Sequence, residues 1–242
     1  SRPVGDAMAT TMWSMGSSWS LTALPLFVWM GEILFRTKLS ENLFKGLAPW
    51  MQKLPGGLIH VNVVGCALFA AISGSSAATV ATVGKMSIPE LRKRKYPEKI
   101  LLGSLAGSGT LGLLIPPSII LIIYGVTVQE SIAKLFIAGI MPGIMIAIIF
   151  MSYVIIWSLI NKKSMPTYSE NFSFLEKIKK SKQLMPVILL ILSVIGSIYT
   201  GVATATEAAS LGVVGALILS YFQKSLNVET FKASLLGATK TS

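Results

Sequence analysis

The chain has 242 residues, of which 52% are hydrophobic and only 13% are charged. Its mean hydropathy is +0.69, whereas an average soluble domain carries about 25% charged residues. A net charge of +11 would favour nucleic-acid binding in a soluble protein, but here the basic residues lie in short connections between long apolar stretches. The composition therefore excludes an ordinary water-soluble fold. It predicts an all-α integral membrane protein that contacts membrane lipid and no nucleic acid.

Side chains suited to catalysis or metal binding are scarce. Cys66 is the single cysteine and His60 the single histidine, so neither an internal disulfide nor a serine–histidine–aspartate catalytic set is expected. We therefore predict no enzyme activity, no cofactor and no transition-metal site. Glu32 and Glu207 are the acids nearest the apolar segments, and an acid inside a membrane is a functional candidate by default. Each also lies near a helix end, so we favour capping as the explanation over a proton-carrying role.

The first elements in chain order are an apolar span and an amphipathic helix. The N-terminal residues show neither a signal-peptide pattern nor an initiator methionine, so we expect the sequence to be a piece of a longer polypeptide. Residues 21–35 are apolar apart from one glutamate. Residues 40–54 carry large apolar side chains at three- and four-residue steps, which is typical of a helix lying in the membrane interface. Residues 13–57 thus predict one membrane span and an interfacial arm helix.

Residues 58–84 carry no charge and allow two interpretations, one tilted span or a hairpin that turns at residues 73–76. The connections on either side, residues 36–53 and 85–99, are both basic. They would face opposite compartments across a single span, and both would face the cytoplasm if the chain turned back. The positive-inside rule therefore favours a re-entrant hairpin over residues 58–84.

The remaining apolar stretches are predicted to cross the bilayer. Residues 100–128 form a transmembrane helix that is broken at residues 107–117, where two consecutive prolines remove two amide donors. Residues 132–161 form the next transmembrane helix, and residues 184–222 form the last two. Residues 1–242 are thus predicted to be a single multi-pass membrane domain.

The two predicted breaks indicate a polar site within the membrane. Non-helical backbone at membrane depth is tolerated only where it is buried or lines a polar cavity. The carbonyl end of a broken helix suits a cation, and the amide end suits a carboxylate. Hydroxyl groups add oxygen ligands at the first break without adding formal charge, and they come from Ser73, Ser75, Ser76 and Thr79.

Small residues also mark close packing between helices, which is the competing interpretation. We apply it to four glycines outside the densest part of the breaks, Gly103, Gly107, Gly139 and Gly143. Residues 73–76 and 109–117 combine helix-breaking and hydroxyl residues more densely, so we interpret them as a site.

The chain resembles the large, DctM-type membrane subunit of the tripartite ATP-independent periplasmic (TRAP) transporters. The resemblance covers nearly the whole chain, with motifs in the family's order: LTALPLFVWMGEIL, KLPGGLIHVNVVGCALFAAISGSSAATVATVG, GTLGLLIPPSIILIIYG, SIAKLFIAGIMPGIMI and TGVATATEAASLGVV. In the last motif Ala205 stands where the family usually has proline. The family's subunit is nearly twice this long, so the chain would hold the first inverted repeat, less its opening span, and the start of the second.

The resemblance implies an elevator-type secondary transporter of the bacterial inner membrane. Sodium would be the coupling ion, and the cargo an organic acid such as a C4-dicarboxylate or a sialic-acid-like carboxylate. The implied partners are a periplasmic substrate-binding protein and the small, Q-type membrane subunit. The family's sodium-site motif falls on Ser73, Gly74, Ser75, Gly112, Ile115 and Pro116, and the residues nearest the substrate carboxylate would be Ser76, Thr79 and Ser118.

Two rival functions remain open at this point. One is a carboxylate or cation transporter that needs no binding protein. The other is a membrane scaffold that transports nothing and uses its polar breaks only to pack helices.

Overall fold

The computed structural model describes residues 3–37, 39–166, 172–182 and 184–241, and over these residues the chain is helical without strands. This confirms the predicted all-α class. The helices are α1 (Val4–Gly16), α2 (Ala23–Phe35), α3 (Leu39–Met51), α4 (His60–Ser73), α5 (Ser76–Lys93), α6 (Glu98–Gly109), α7 (Ile119–Val128), α8 (Ile132–Ile160), α9 (Phe174–Ser181), α10 (Met185–Tyr199), α11 (Ala205–Phe222) and α12 (Val228–Thr241). Short 3₁₀ turns occupy Trp19–Thr22, Gly57–Ile59, Thr110–Leu113 and Lys162–Ser164.

Within the described residues, α8 and α11 are each long and apolar enough to cross a bilayer, and two bent helix pairs would raise the number of spans to four. Helix α8 is apolar on nearly all sides, and a row of its large side chains is exposed, which suits contact with lipid. Helix α2 has 13 residues, and at 1.5 Å per residue it is about 20 Å long, short of the ~30 Å hydrocarbon core.

Helices α2 and α11 pack closely against each other. The small residues of α11 that are buried are Ala205, Ala208, Ala209, Gly212 and Ala216. At Gly212 the helices approach so closely that a Cβ atom would lie 2.5 Å from the sulfur of Met30. Small side chains let helix backbones approach each other where lipid supplies no hydrophobic driving force.

Helix α12 also packs against α2. The indole Nε1 of Trp29 donates to Ser234 Oγ at 3.2 Å, and the Trp29 and Phe231 rings meet edge to face with centroids 5.8 Å apart.

Helix α3 corresponds to the predicted arm helix. Leu43, Phe44 and Leu47 on its apolar face are buried, and the helix contacts α4, α5 and α9. Trp50 lies at its end and donates from Nε1 to Ser181 Oγ at 2.7 Å. Much of the face that the sequence assigned to lipid therefore packs against protein.

Helices α4 and α5 lie against each other on either side of a break at Gly74 and Ser75. A Cβ atom on Gly65 would lie 3.5 Å from the side chain of Val83, so residues about equally far from the break face one another. The second helix extends through Lys93, past the predicted end at residue 84, so it includes basic residues that the sequence assigned to a connection. The open end of the pair is the end far from the break. There Tyr96, which follows α5, contacts the segment before α4, because its hydroxyl accepts a hydrogen bond from the Leu58 amide at 3.1 Å.

Helix α8 packs against the second break. A Cβ atom on Gly139 would lie 2.7 Å from the carbonyl oxygen of Leu114, and one on Gly143 would lie 2.9 Å from Ile115 Cγ1. Gly107 lies against the ring of Phe150. The packing interpretation therefore holds for these three glycines. Gly103 is exposed and has no described atom within 4 Å of its Cβ position.

Candidate functional site

The first break is a two-residue interruption that lets the chain reverse direction. Helix α4 ends at Ser73, and Gly74 adopts a left-handed backbone with φ of 61°. Ser75 is extended, and its side chain caps α5 by accepting from the Ala78 amide at 3.5 Å. Left-handed backbone suits glycine because it has no Cβ atom to clash with the neighbouring carbonyl.

Three oxygen atoms cluster inside this break. The hydroxyl of Thr79 donates to the Ser75 carbonyl at 2.7 Å and is hydrogen bonded to Ser73 Oγ at 2.9 Å. Ser73 Oγ also lies 3.3 Å from the Ser75 carbonyl oxygen and accepts from the Ser75 amide at 3.3 Å. Ser73 and Thr79 are buried, with 3% and 0% of their surfaces exposed. The break therefore holds a buried group of neutral oxygen ligands.

Ser76 adds an unused hydroxyl next to this group. Its Oγ is shielded from solvent and has no hydrogen-bond partner among the described residues. Buried hydroxyls are nearly always hydrogen bonded, because leaving one unpaired costs about 1–3 kcal/mol. The Ser76 hydroxyl at the start of α5 is therefore available to a polar ligand.

The second break lies between the 3₁₀ turn that follows α6 and the start of α7. Its backbone passes through Pro116 and Pro117, which are joined by a cis peptide bond. Ser118 is fully buried and donates from Oγ to the Leu113 carbonyl at 2.7 Å. As at Ser75, the residue before the restarting helix is an extended serine.

The two breaks lie in direct contact. The Ile119 amide at the start of α7 donates to the Gly74 carbonyl at 3.3 Å. A Cβ atom on Gly74 would lie 2.7 Å from the Pro117 carbonyl oxygen, and one on Gly112 would lie 2.8 Å from the Ser76 amide nitrogen. The carbonyl end of α4 thus meets the amide end of α7, and the turn that follows α6 meets the amide end of α5.

The electrostatics of the site come from peptide dipoles and hydroxyls, since none of the nine predicted site residues has an ionisable side chain. Helix carbonyl ends carry partial negative charge, and helix amide ends carry partial positive charge. Some groups that the sequence suggested would be free are paired with each other, above all the Gly74 carbonyl and the Ile119 amide. The site can still offer the Ser73, Thr79 and Ser75 oxygens to a cation and the Ser76 hydroxyl to an anion.

The structure brings most of the predicted residues together. Ser73, Gly74, Ser75, Ser76 and Thr79 form the first break, which Gly112 contacts through its backbone and Ser118 adjoins through its neighbours Pro117 and Ile119. The side chains of Ile115 and Pro116 lie against α8, at Gly143 and Gly139. Any contribution of these two residues to a site at the breaks would therefore come from their main chains.

Gly31 of α2 packs against Ser73 at the first break, and the sequence analysis did not identify it. A Cβ atom on Gly31 would lie 2.9 Å from Ser73 Cα and 3.3 Å from Ser73 Cβ. The available signal was a lone glycine among large apolar residues at positions 26–34. It shows that a close approach is needed but does not identify the partner.

Comparison with known proteins decides the family. Residues 1–242 match the family model described as the Tripartite ATP-independent periplasmic transporter, DctM component. The chain belongs to this family. The resemblance inferred from the motifs is therefore confirmed, and the DctM component is a transporter permease of the membrane and not an enzyme.

Curated relatives agree with this assignment. The chain is 33% identical over 216 residues to the C4-dicarboxylate TRAP transporter large permease protein DctM of Pseudomonas aeruginosa, covering 89% of this chain and 50% of the relative. It is 36% identical over 200 residues to the ectoine/5-hydroxyectoine large permease UehC of Ruegeria pomeroyi, covering 83% and 46%. It is 32% identical over 239 residues to the isethionate permease DctMQ of Oleidesulfovibrio alaskensis, covering 98% and 37%. The chain thus spans half the length of these relatives or less.

Proposed function

We propose that this DctM-family chain is part of a sodium-coupled permease that imports an organic acid across the bacterial inner membrane. The observation that carries the proposal is the buried cluster of the Ser73, Thr79 and Ser75 oxygens, held against a second helix break. Unwound backbone and helix carbonyl ends coordinate sodium in transporters built on broken helices. A neutral oxygen cluster suits a monovalent cation, which does not need carboxylate ligands.

The sodium ion would be held at the contact between the two breaks. Its ligands would be main-chain carbonyls and hydroxyls of Ser73, Gly74 and Ser75 on one side. On the other side they would be main-chain carbonyls of Gly112, Ile115 and Pro116. The Ser75 carbonyl oxygen has two lone pairs, so it can coordinate the ion while it still accepts from the Thr79 hydroxyl.

The substrate carboxylate would bind at the amide ends of α5 and α7. Ser76 supplies an unpartnered hydroxyl there, and Ser118 and Thr79 lie at the two breaks. The relatives' names refer to different solutes, C4-dicarboxylate, ectoine and isethionate. We therefore propose an organic acid such as a C4-dicarboxylate or a sialic-acid-like carboxylate, without choosing between them.

Transport would proceed by an elevator movement, with residues 58–124 moving against a scaffold that includes residues 21–54. The family is tripartite by description. We accordingly propose that a periplasmic binding protein delivers the solute and that a small, Q-type membrane subunit accompanies the permease.

The test is sodium-dependent uptake by the full-length permease, reconstituted with its small subunit and binding protein. We expect Ser73→Ala combined with Ser75→Ala to raise the sodium concentration for half-maximal uptake by about tenfold or more. The first change removes a ligand hydroxyl and the second removes the cap that fixes the backbone around the Ser75 carbonyl, each worth roughly 1 kcal/mol. The matched control is Ser193→Ala combined with Ser197→Ala, whose hydroxyls bond only to carbonyls within α10. Unchanged sodium dependence in the first double variant would contradict the site.

The same preparation separates the two rival functions. A transporter that needs no binding protein would take up solute when the binding protein is left out. A scaffold without a sodium site would show no rise in melting temperature on addition of sodium, because only a ligand that binds the folded state stabilises it.

A further inference from the structure

A basic cleft lies away from the two breaks, between the end of α2, helix α3, the second half of α5 and helix α9. Its volume is about 1010 Å³. Five cationic side chains line it, and they are Arg36, Lys45, Lys85, Arg94 and Lys180. Glu90 is the single acid among the described residues that line it. The cleft therefore carries an excess of positive charge.

The cleft combines this charge with an apolar wall. Phe35, Phe44 and Met86 also line it. Phe35 is the last residue of the apolar helix α2, and Phe44 lies on the amphipathic helix α3. Positive charge beside apolar surface at the end of a membrane-embedded helix is the arrangement found at the level of lipid headgroups.

Two of the cations already have carboxylate partners. Arg36 is 3.0 Å from Glu32, and Arg94 is 3.5 Å from Glu90. Both pairs are local, since each joins residues four apart in sequence at the end of one helix. They neutralise part of the charge of the cleft.

Lys85 and Lys180 differ, because neither forms an ion pair with any residue that the structure describes. The Lys85 ammonium lies 6.0 Å from the centroid of the Phe35 ring, and the Lys180 ammonium lies 3.6 Å from that of Phe172. A ring face attracts a cation but does not neutralise it. Both lysines are exposed, so their ammonium groups can also contact an anion.

We propose that this cleft binds the phosphate headgroup of an anionic phospholipid, with Lys85 and Lys180 contacting the phosphate and an acyl chain lying along Phe35, Phe44 and Met86. A phospholipid uses both the charged and the apolar parts of the cleft, whereas a soluble anion would use only the charged part. Basic pockets between membrane helices bind lipid headgroups in this way. A lipid held between α2, α3 and α5 would touch both parts of the chain that the elevator proposal moves against each other.

The test measures how much dioleoylphosphatidylglycerol is needed to raise the melting temperature of the full-length permease in detergent. A basic residue near an anionic lipid contributes about 1 kcal/mol, or about fivefold in affinity. We expect Lys85→Gln combined with Lys180→Gln to raise the half-maximal lipid concentration roughly 30-fold. The matched control is Lys162→Gln combined with Lys163→Gln, which removes the same charge from exposed lysines outside the cleft and should change the value less than about twofold.

Three outcomes would overturn the proposal. Equal shifts in the two double variants would show that only the overall charge matters. Equal stabilisation of the wild-type protein by dioleoylphosphatidylcholine would show that the headgroup charge is not recognised. Stabilisation by inorganic phosphate at concentrations similar to those of the lipid would identify a soluble anion as the ligand. Because none of these measurements depends on uptake, the lipid site can fail while the sodium site stands.

Discussion

Replacing Gly74 with alanine tests whether the contact between the two helix breaks stabilises the protein. Gly74 has a φ of 61°, and a side chain in left-handed backbone costs about 1–2 kcal/mol. The new Cβ atom would also lie 2.7 Å from the Pro117 carbonyl oxygen, which must retreat by about 0.7 Å to reach ordinary van der Waals contact. Overpacking of this kind costs about 1–3 kcal/mol more. We therefore expect a total loss of about 2–5 kcal/mol.

Gly201→Ala is the matched control for this variant. Gly201 has a similar φ of 72°, but no described atom lies within 4 Å of its Cβ position. It should therefore show only the backbone cost. The assay is thermal unfolding of the purified full-length protein with and without sodium. A chain of about 150–250 residues shifts by about 2–4 °C per kcal/mol, and a protein about twice as long should shift by about half as much, so G74A should melt roughly 1–6 °C below G201A.

The sodium response adds a second readout to the same experiment. If the ion binds where the breaks meet, G74A should lose most of the sodium-induced rise in melting temperature and G201A should keep it. Equal melting temperatures for the two variants would refute the reasoning, because the Pro117 contact would then cost nothing. A full sodium response in a destabilised G74A would place the ion elsewhere.

Two further substitutions test the oxygen cluster and the open end of the helix pair. Thr79→Val removes the hydroxyl that bonds to Ser73, and it should lower stability by about 1–2 kcal/mol and weaken the sodium response. Thr82→Val, which loses only a bond within α5, should leave that response intact in the same thermal assay. Tyr96→Phe should cost about 1–3 kcal/mol by leaving the buried Leu58 amide without its partner. Burial raises the pKa of Tyr96, so its contribution to the free energy of unfolding is present below pH 10.0 and is lost as the pH rises further. Unfolding measured as a function of pH should show this loss of stability in the wild type and less of it in Y96F.

Much of the fold could be predicted because its causes are local. Apolar stretches of sufficient length predicted α8, α10 and α11, and consecutive prolines predicted the interruption before α7. The end of α5 could not be placed in this way. Charged residues marked a connection at residues 85–99, but charges also fit a helix that has left the apolar region, and the helix continues to Lys93.

The candidate site shows the same division. Serine, glycine and threonine at positions 73–79 predicted a polar break, because glycine tolerates left-handed backbone and serine caps a restarting helix. The role of Gly31 and the orientation of Ile115 toward α8 depend on contacts between residues that are distant in sequence. A single sequence does not show which of its distant residues will be in contact.

Composition, periodicity and motif order by themselves determined that the chain is helical, belongs in a membrane and carries two interrupted helices. These properties follow from local preferences: each short segment favours either lipid or water, and each favours a helical or a non-helical backbone. Only the tertiary structure decided that the amide end of α7 meets Gly74, that α12 packs against α2, and that basic residues of α3, α5 and α9 share one cleft with Arg36 and Arg94. Such contacts depend on which surfaces fit together after the helices have formed, and local preferences do not specify that fit.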